Sequence, residues 1–146
     1  MDELYGVDAG KATAYWFDVL GVHPYAGEEG QGFAPDDDTH PDVMTMFGAK
    51  DPDYLGYRRM HELAHAREGA AKTLAFGEVG YTTAAGWFTV AESDRAQYIV
   101  DAMRLARDDG FVHYVAWYMH DSPYPDAFTI HGTSTEAGFT AAATEP

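Results

Sequence analysis

One carboxylate stands where a strand is expected to end. The apolar run 74–81 contains a single acidic side chain, Glu78, which is followed by a break at glycine. The run predicts a strand over residues 72–79, and many α/β enzymes present a catalytic group at the carboxyl end of such a strand. We therefore expect Glu78 to be the chemical centre. The alternative is a surface acid at the tip of a strand.

A second pattern points to different chemistry. His61, Glu62 and His65 match the H-E-x-x-H zinc-protease motif, on a predicted helix that places both histidines on one face. A catalytic zinc site also needs a third protein ligand. Glu68 and Ala71 occupy the positions at which the extended motif has glycine and the third histidine. The alternative, surface histidines on an amphipathic helix, is the interpretation we favour.

Composition limits the possible partners. The 146 residues are 46% hydrophobic, which is enough for the core of one domain or of part of a larger one. The net charge of −15 argues against nucleic acid and anionic membranes, because both require a basic surface. The absence of cysteine excludes disulfides, thiolate metal sites and a cysteine nucleophile. Residues 1–5 lack the features of a signal peptide, and no apolar run is long enough to span a bilayer.

Strands and helices alternate along the chain. We predict strands at 16–22, 72–79 and 111–118. One helix is expected from near Asp51 to near Gly69, a second from near Ser93 to near Gly110, and a closing helix at 134–144. Long loops are expected at 26–50, 80–91 and 120–133. This alternation predicts an α/β fold with a parallel sheet and right-handed crossovers. Because each long loop follows a strand, the pattern is typical of a (β/α) barrel, whose working face is built from those loops.

The three predicted strand ends resemble those of a known family. Residues 17–25, ending in His23-Pro24-Tyr25, are similar to the sixth strand of the clan A glycoside hydrolases, the retaining (β/α)8-barrel enzymes that include cellulases, mannanases and xylosidases. Residues 72–81 resemble the seventh strand with its nucleophilic glutamate, and 115–118 the eighth strand with its substrate-facing tryptophan. The resemblance implies that residues 1–146 form the last three β/α units of a TIM barrel, a partial catalytic domain.

The resemblance implies a role for each strand-end residue. Glu78 would be the nucleophile, Tyr25 would hydrogen-bond its carboxylate, His23 would line the adjoining sugar subsite, and Trp117 would stack on a pyranose ring. Retaining hydrolysis uses two carboxyl groups and needs no metal or cofactor, so we expect neither. The expected partner is a carbohydrate, and an extracellular location fits the family. Alternatively, His23 and Tyr25 cap a strand and Trp117 belongs to the core.

Further sugar contacts are expected from loop residues that can hydrogen-bond or stack. These candidates are Tyr81, Trp87, His120, Asp121 and Tyr124. The alternative for each of them is packing within its own loop.

The chain departs from the family in one important respect. The family's acid/base glutamate follows an asparagine, and this sequence contains no asparagine. We therefore expect the chain to carry the nucleophile half of the site, to be inactive alone, and to dock onto an N-terminal barrel portion or to self-associate. A non-catalytic carbohydrate-binding or assembly remnant is the alternative, and a zinc peptidase is a third hypothesis.

Overall fold

A computed structural model describes residues 18–37, 56–68, 72–122 and 127–145. Its elements, in chain order, are β1 (Val19–Val22), β2 (Gly27–Glu28), β3 (Gln31–Gly32), α1 (Tyr57–Glu68), β4 (Thr73–Val79), α2 (Glu92–Asp109), β5 (Val112–Trp117) and α3 (Ser134–Thr144). None of the helices in these residues combines the length and the apolar character that crossing a bilayer requires.

Three of the strands form one parallel sheet in the order β1-β4-β5. Val22 lies opposite Phe76 in the first pair, and Leu74 lies opposite Val112 in the second. Because the three strands are parallel, each pair is joined by a crossover connection and not by a tight hairpin turn. The predicted α/β class is therefore confirmed as a mixed α/β fold with a parallel three-stranded sheet and three described helices.

The core lies between this sheet and the helices. Its buried residues come from β1, the loops, α1, β4 and α2, and they are Val22, Ala26, Tyr57, Leu74, Phe76, Tyr81, Ala102 and Ala106. The ring of Tyr57 meets the ring of Phe76 edge-on, with centroids 4.9 Å apart. Burying one large apolar side chain contributes about 1.5–3 kcal/mol. Tyr114 on β5, by contrast, keeps 54% of its surface exposed.

A buried arginine ties the first turn of α2 to α3. Arg95 is 2% exposed, and it donates to the carbonyl of Ala127 at 2.8 Å and to the hydroxyl of Thr135 at 3.2 Å. Its remaining nitrogen pairs with the carboxylate of Glu92 at 2.5 Å. The same carboxylate accepts hydrogen bonds from the Thr135 amide at 3.0 Å and the Ser134 hydroxyl at 3.0 Å. Each of the three guanidinium nitrogens therefore has a polar partner, as a buried charge requires.

The predicted boundaries agree with the structure at most ends. The closing helix and the two later strands lie where they were predicted, and Gly110, at φ 68°, ends α2. The helix predicted to start near Ser93 begins at Glu92, with Ala91 as its N-cap. Glu92 contacts Ser134 and Thr135 of α3, and no local pattern reveals these contacts. The predicted starts near Trp16 and Asp51 lie outside the described residues.

Within the loop predicted over residues 26–50, residues 27–32 form a hairpin. Strands β2 and β3 pair antiparallel across the two-residue turn Glu29-Gly30. A two-residue turn containing glycine is a known hairpin signal, which the short length of these strands obscured. Residues 38–50 of the predicted loop lie outside the described part of the chain.

We predict that Gly80→Ala destabilises the fold. A Cβ at this position would lie 2.1 Å from the carbonyl oxygen of Tyr118, so the backbone would have to shift. We expect the free energy of unfolding, measured by urea denaturation, to fall by about 2–3 kcal/mol. Gly21→Ala is the matched control, because its Cβ would meet nothing within 4 Å. Equal losses in both variants would contradict the steric explanation.

We predict that Glu92 stabilises the fold above pH 4.5. Burial raises the pKa of its carboxyl, but the hydrogen bonds from Thr135 and Ser134 and the charge of Arg95 outweigh that effect and lower it from 4.5 to about 2. A lowered folded-state pKa adds stability above the unfolded pKa and loses it as the pH falls toward 2. Because the side chain is 36% exposed, we expect Glu92→Gln to cost about 1–2 kcal/mol at pH 7.

The check on Glu92 is urea denaturation of both proteins between pH 7 and pH 2.5. The difference in unfolding free energy should shrink across the lower half of that range. Glu62→Gln serves as control, because this exposed carboxylate pairs only across the helix surface with Arg59 at 2.9 Å and should contribute about 0.5 kcal/mol or less. A Glu92 effect that is constant with pH would refute the electrostatic origin.

Candidate active site

Three of the predicted residues meet at the carboxyl edge of the sheet. The hydroxyl of Tyr25 donates a hydrogen bond to Oε1 of Glu78 at 2.5 Å. Nδ1 of His23 lies 3.5 Å from the other carboxylate oxygen, Oε2. Each oxygen of Glu78 therefore faces one side chain from the segment that follows β1. About a third of the Glu78 side chain, 32%, remains exposed to solvent.

The register between β1 and β4 explains this meeting. Val22, the last residue of β1, lies opposite Phe76, so the chain after Val22 runs beside Gly77 and Glu78. Glycine at 77 leaves room for the imidazole, because a Cβ there would lie 3.1 Å from Nε2 of His23. The Gly-Glu pair at the end of β4 thus provides both the carboxylate and the space beside it.

An irregularity in the sheet aims Glu78. Phe76 pairs with Val115 and Val79 pairs with Trp117, so β4 contains one residue more than β5 between these pairs. Regular alternation would send Glu78 to the same side as Phe76, which is fully buried in the core. A bulge of this kind redirects the side chain beside it, and bulges are frequent next to active sites.

A ring from the loop after β4 holds Tyr25 in place. Tyr25 stacks on Phe88 with centroids 4.6 Å apart and an angle of 16° between the ring planes. Phe88 has a φ of 62°, in the left-handed region, which is rare for a bulky residue and costs about 1–3 kcal/mol. Its neighbours keep it there through backbone hydrogen bonds from Phe88 to Glu28 at 3.2 Å and from Thr82 to Phe88 at 3.1 Å.

The β2–β3 hairpin and the loop after β4 support each other. Backbone hydrogen bonds join Gly30 to Gly86 at 2.8 Å and Gly32 to Thr89 at 2.7 Å. Trp87 forms a β-bridge with Glu29 and leaves 54% of its surface exposed. No role for Phe88 follows from the sequence, and Trp87 is only one of the predicted loop contacts, since nothing local pairs these two loops.

The environment keeps Tyr25 in its protonated form. Burial raises the pKa of the Tyr25 hydroxyl far above its ordinary value, and the hydrogen bond to Glu78 and the charge of that carboxylate raise it further. Tyr25 is therefore protonated at neutral pH and donates its hydrogen bond to Glu78. It orients the carboxylate and cannot itself accept a proton as a base.

Two of the predicted sugar contacts lie in or against the core. Tyr81 has no exposed surface, which does not fit its predicted contact with substrate; its ring packs between Tyr98 and Trp117, at centroid distances of 5.3 Å and 6.1 Å. Trp117 is half-buried against it, and its indole nitrogen finds no hydrogen-bond partner within the described residues. The position of Trp117 fits the alternative of core packing.

The predicted contacts after β5 have other partners. His120 is bound through Nε2 to Glu136 at 2.9 Å, and His131 reaches the same carboxylate oxygen at 3.2 Å. Asp121 accepts a hydrogen bond from the Ser122 amide at 2.9 Å, a local turn contact. Tyr124 lies outside the described residues. His120 therefore belongs to a cluster with His131 and Glu136, and the neighbouring Asp121 is exposed.

The H-E-x-x-H motif lies on α1 without a third ligand in the described ranges. His61 stacks on Phe111, with ring centroids 3.8 Å apart, and burial is the main cause that lowers the pKa of its imidazole. Glu62 pairs with Arg59, and His65 is exposed. Within 18–37, 56–68, 72–122 and 127–145, neither histidine belongs to a group of three metal-binding side chains. This arrangement fits the alternative of an amphipathic helix.

Comparison of the chain with protein-family models, with curated proteins and with solved structures gives no match. The functional assignment therefore depends on the residues at the sheet edge and on their geometry.

We predict that Tyr25 and Glu78 are energetically coupled. A hydrogen bond to a charged group contributes about 1.5–3 kcal/mol, and partial exposure of Glu78 reduces this to about 1–2 kcal/mol. A double-mutant cycle with Tyr25→Phe and Glu78→Gln, followed by urea denaturation at pH 7, should give a coupling energy in that range. Tyr114→Phe, on the exposed side of β5, should show none with Glu78→Gln. A coupling energy near zero for Tyr25 would contradict the geometry.

Proposed function

We propose that this chain carries the nucleophile half of a retaining glycoside hydrolase, with Glu78 as the nucleophile. The observation that carries the proposal is the pair of contacts on Glu78, from the Tyr25 hydroxyl at 2.5 Å and the His23 imidazole at 3.5 Å. The resemblance implies these residues in these roles, and they come from segments 53 residues apart.

The fold supports the proposal at a coarser level. Three parallel strands in consecutive order, each followed by a long loop, are the repeating unit of a (β/α)8 barrel, and active sites of that fold lie at the carboxyl ends of the strands. We propose that β1, β4 and β5 are the sixth, seventh and eighth strands of such a barrel. An N-terminal portion would then supply the other strands.

The proposed mechanism begins with attack by Glu78. A carboxylate oxygen forms a bond to the anomeric carbon while the bond from that carbon to the glycosidic oxygen breaks, and the leaving group takes the bonding electrons. Water then attacks the same carbon while the acid/base group takes a proton from it, and the bond from that carbon to Glu78 breaks, which releases the sugar and returns the carboxylate. Tyr25 donates to Oε1 and so leaves the second oxygen directed toward the solvent-exposed side, next to His23.

The acid/base must come from a second carboxyl group about 5–5.5 Å from Glu78. In the family that the chain resembles, this glutamate follows an asparagine, and the chain contains no asparagine. We therefore propose that the acid/base group belongs to the N-terminal portion. The acid/base group donates a proton to the leaving group in the first step, and a leaving group that departs as a stable anion does not need that proton. The first step can therefore be tested without the acid.

The exposed face of Trp87 is the sugar platform we propose in place of Trp117. Trp87 adjoins Phe88 at a centroid distance of 6.0 Å, and Phe88 stacks on Tyr25, which holds Glu78. An aromatic face suits the apolar C–H face of a pyranose, and Trp87 has 54% of its surface free for it. Trp117 lacks that freedom because it packs on Tyr81.

The test is covalent labelling with dinitrophenyl fluoroglycosides of glucose, mannose and xylose. The fluorine slows hydrolysis of the intermediate, and dinitrophenolate leaves without a proton. We expect a burst of one dinitrophenolate per chain, a matching gain in intact mass, and a labelled peptide that contains Glu78. Glu78→Gln should abolish the label, whereas Glu62→Gln, on the exposed side of α1, should retain it.

Two other results would be informative. Labelling of a different residue would defeat the assignment of Glu78. Sugar binding without any labelling, lost in Trp87→Ala but retained in Glu78→Gln, would instead favour the non-catalytic carbohydrate-binding alternative, because stacking would then be the whole function of the cleft.

A further inference from the structure

Three metal-binding side chains converge where the loop after β5 meets α3. Nε2 of His120, Nδ1 of His131 and a carboxylate oxygen of Glu136 all lie within 4.8 Å of one another. Within the described ranges this is the only group of three such residues. We propose that His120, His131 and Glu136 form a binding site for a divalent transition-metal ion, with zinc as the expected occupant.

The distances fit a single ion. Oε1 of Glu136 lies 2.9 Å from Nε2 of His120 and 3.2 Å from Nδ1 of His131. A tetrahedral zinc ion with bonds of about 2.0–2.2 Å holds its ligand atoms roughly 3.3–3.5 Å apart. The oxygen therefore needs to move only a few tenths of an ångström from each nitrogen to admit the metal. The two nitrogens lie within 4.8 Å of each other, and rotation of the exposed imidazoles can set their final spacing. Two imidazoles and one carboxylate are a ligand set that zinc accepts.

The backbone holds the two histidines side by side. The amide of His131 donates to the carbonyl of His120 at 2.9 Å, and the amide of Ile130 donates to the carbonyl of Met119 at 3.2 Å. The two ends of the loop therefore run next to each other, which brings the imidazole rings to a centroid distance of 5.4 Å. The fold therefore already places the two histidines next to each other, so metal binding requires little further ordering of the loop.

The carboxylate is oriented by its second oxygen. Oε2 of Glu136 accepts a hydrogen bond from the amide of Gly132 at 2.7 Å, so Oε1 points at the imidazoles. Ligands fixed by such outer contacts bind metals more tightly than free ones do. The histidine side chains are 58% and 61% exposed, so an ion can enter from solvent and water can fill the fourth position.

The ion would clamp the loop onto the start of α3. His120 precedes residues 121–130 and His131 follows them, while Glu136 belongs to the first turn of the helix. A single ion would therefore join both ends of the loop to the closing helix. This group shares no residue with the contacts of Glu78, and its occupancy does not depend on the proposed hydrolase activity.

The site can be tested by isothermal titration of the untagged chain with zinc chloride in a buffer without chelators. We expect one ion per chain with micromolar or tighter affinity. His131→Ala should weaken binding at least about tenfold, because even outer contacts of metal ligands are worth about 10–100-fold in affinity. His65→Ala is the matched control, since this exposed histidine lies in the competing H-E-x-x-H motif, and it should leave the affinity unchanged.

A second measurement does not depend on the folding of a variant. X-ray absorption of the zinc-loaded protein should show two imidazoles and one or two oxygens around the ion, and the melting temperature should rise as the zinc concentration increases above the dissociation constant. Absence of zinc binding at 0.1 mM (about 100 times the expected upper limit of the dissociation constant) would overturn the proposal. Binding that survives His131→Ala but is lost in His65→Ala would overturn it equally, in favour of the helix motif.

Discussion

The register in which β1 lies beside β4 governs the candidate site. With Val22 opposite Phe76, the segment after β1 passes directly next to Glu78, and both oxygens of that carboxylate find a partner. A slip by one residue would turn every side chain of β1 to the opposite face and would separate Tyr25 from Glu78. The apolar core fixes this register, since Val22 and Phe76 are both buried in it. Packing of apolar side chains in the core therefore determines where Tyr25 and His23 lie relative to Glu78 at the carboxyl edge of the sheet.

The carboxyl edge of the sheet is stiffened by loops that pair with each other. The hairpin after β1 and the loop after β4 share backbone hydrogen bonds, and they hold Phe88 at a φ of 62° under Tyr25. Strain of this kind persists only where the surroundings impose it, and it is frequent at functional sites. In the first turn of α2, Arg95 and Glu92 perform the corresponding task for α3. Each loop in the described edge is therefore anchored by polar contacts to a neighbouring element.

Sequence patterns predicted the elements well where the signal is local. Apolar runs predict β4 and β5, helical spacing predicts α2, and Gly110 predicts the end of α2. Each of these signals depends only on residues that are near one another in sequence. The start of α2 at Glu92 does not follow from a local pattern, because the contacts of Glu92 are with Ser134 and Thr135, more than 40 residues away. The hairpin after β1 was missed for a related reason. Its two-residue strands carry little periodicity, and the loop after β4 completes their hydrogen bonding.

The sequence by itself determined the chemical types at the site: a lone carboxylate at a strand end, followed by a break at glycine, and a His-x-Tyr group after another strand. Only the tertiary structure decided which aromatic residues face solvent, since Trp87 is open while Tyr81 and Trp117 pack together. It also decided that His120 joins a cluster with Glu136. The physical reason is that strand ends are set by local patterns, whereas the exposure of a ring depends on what the rest of the chain places over it.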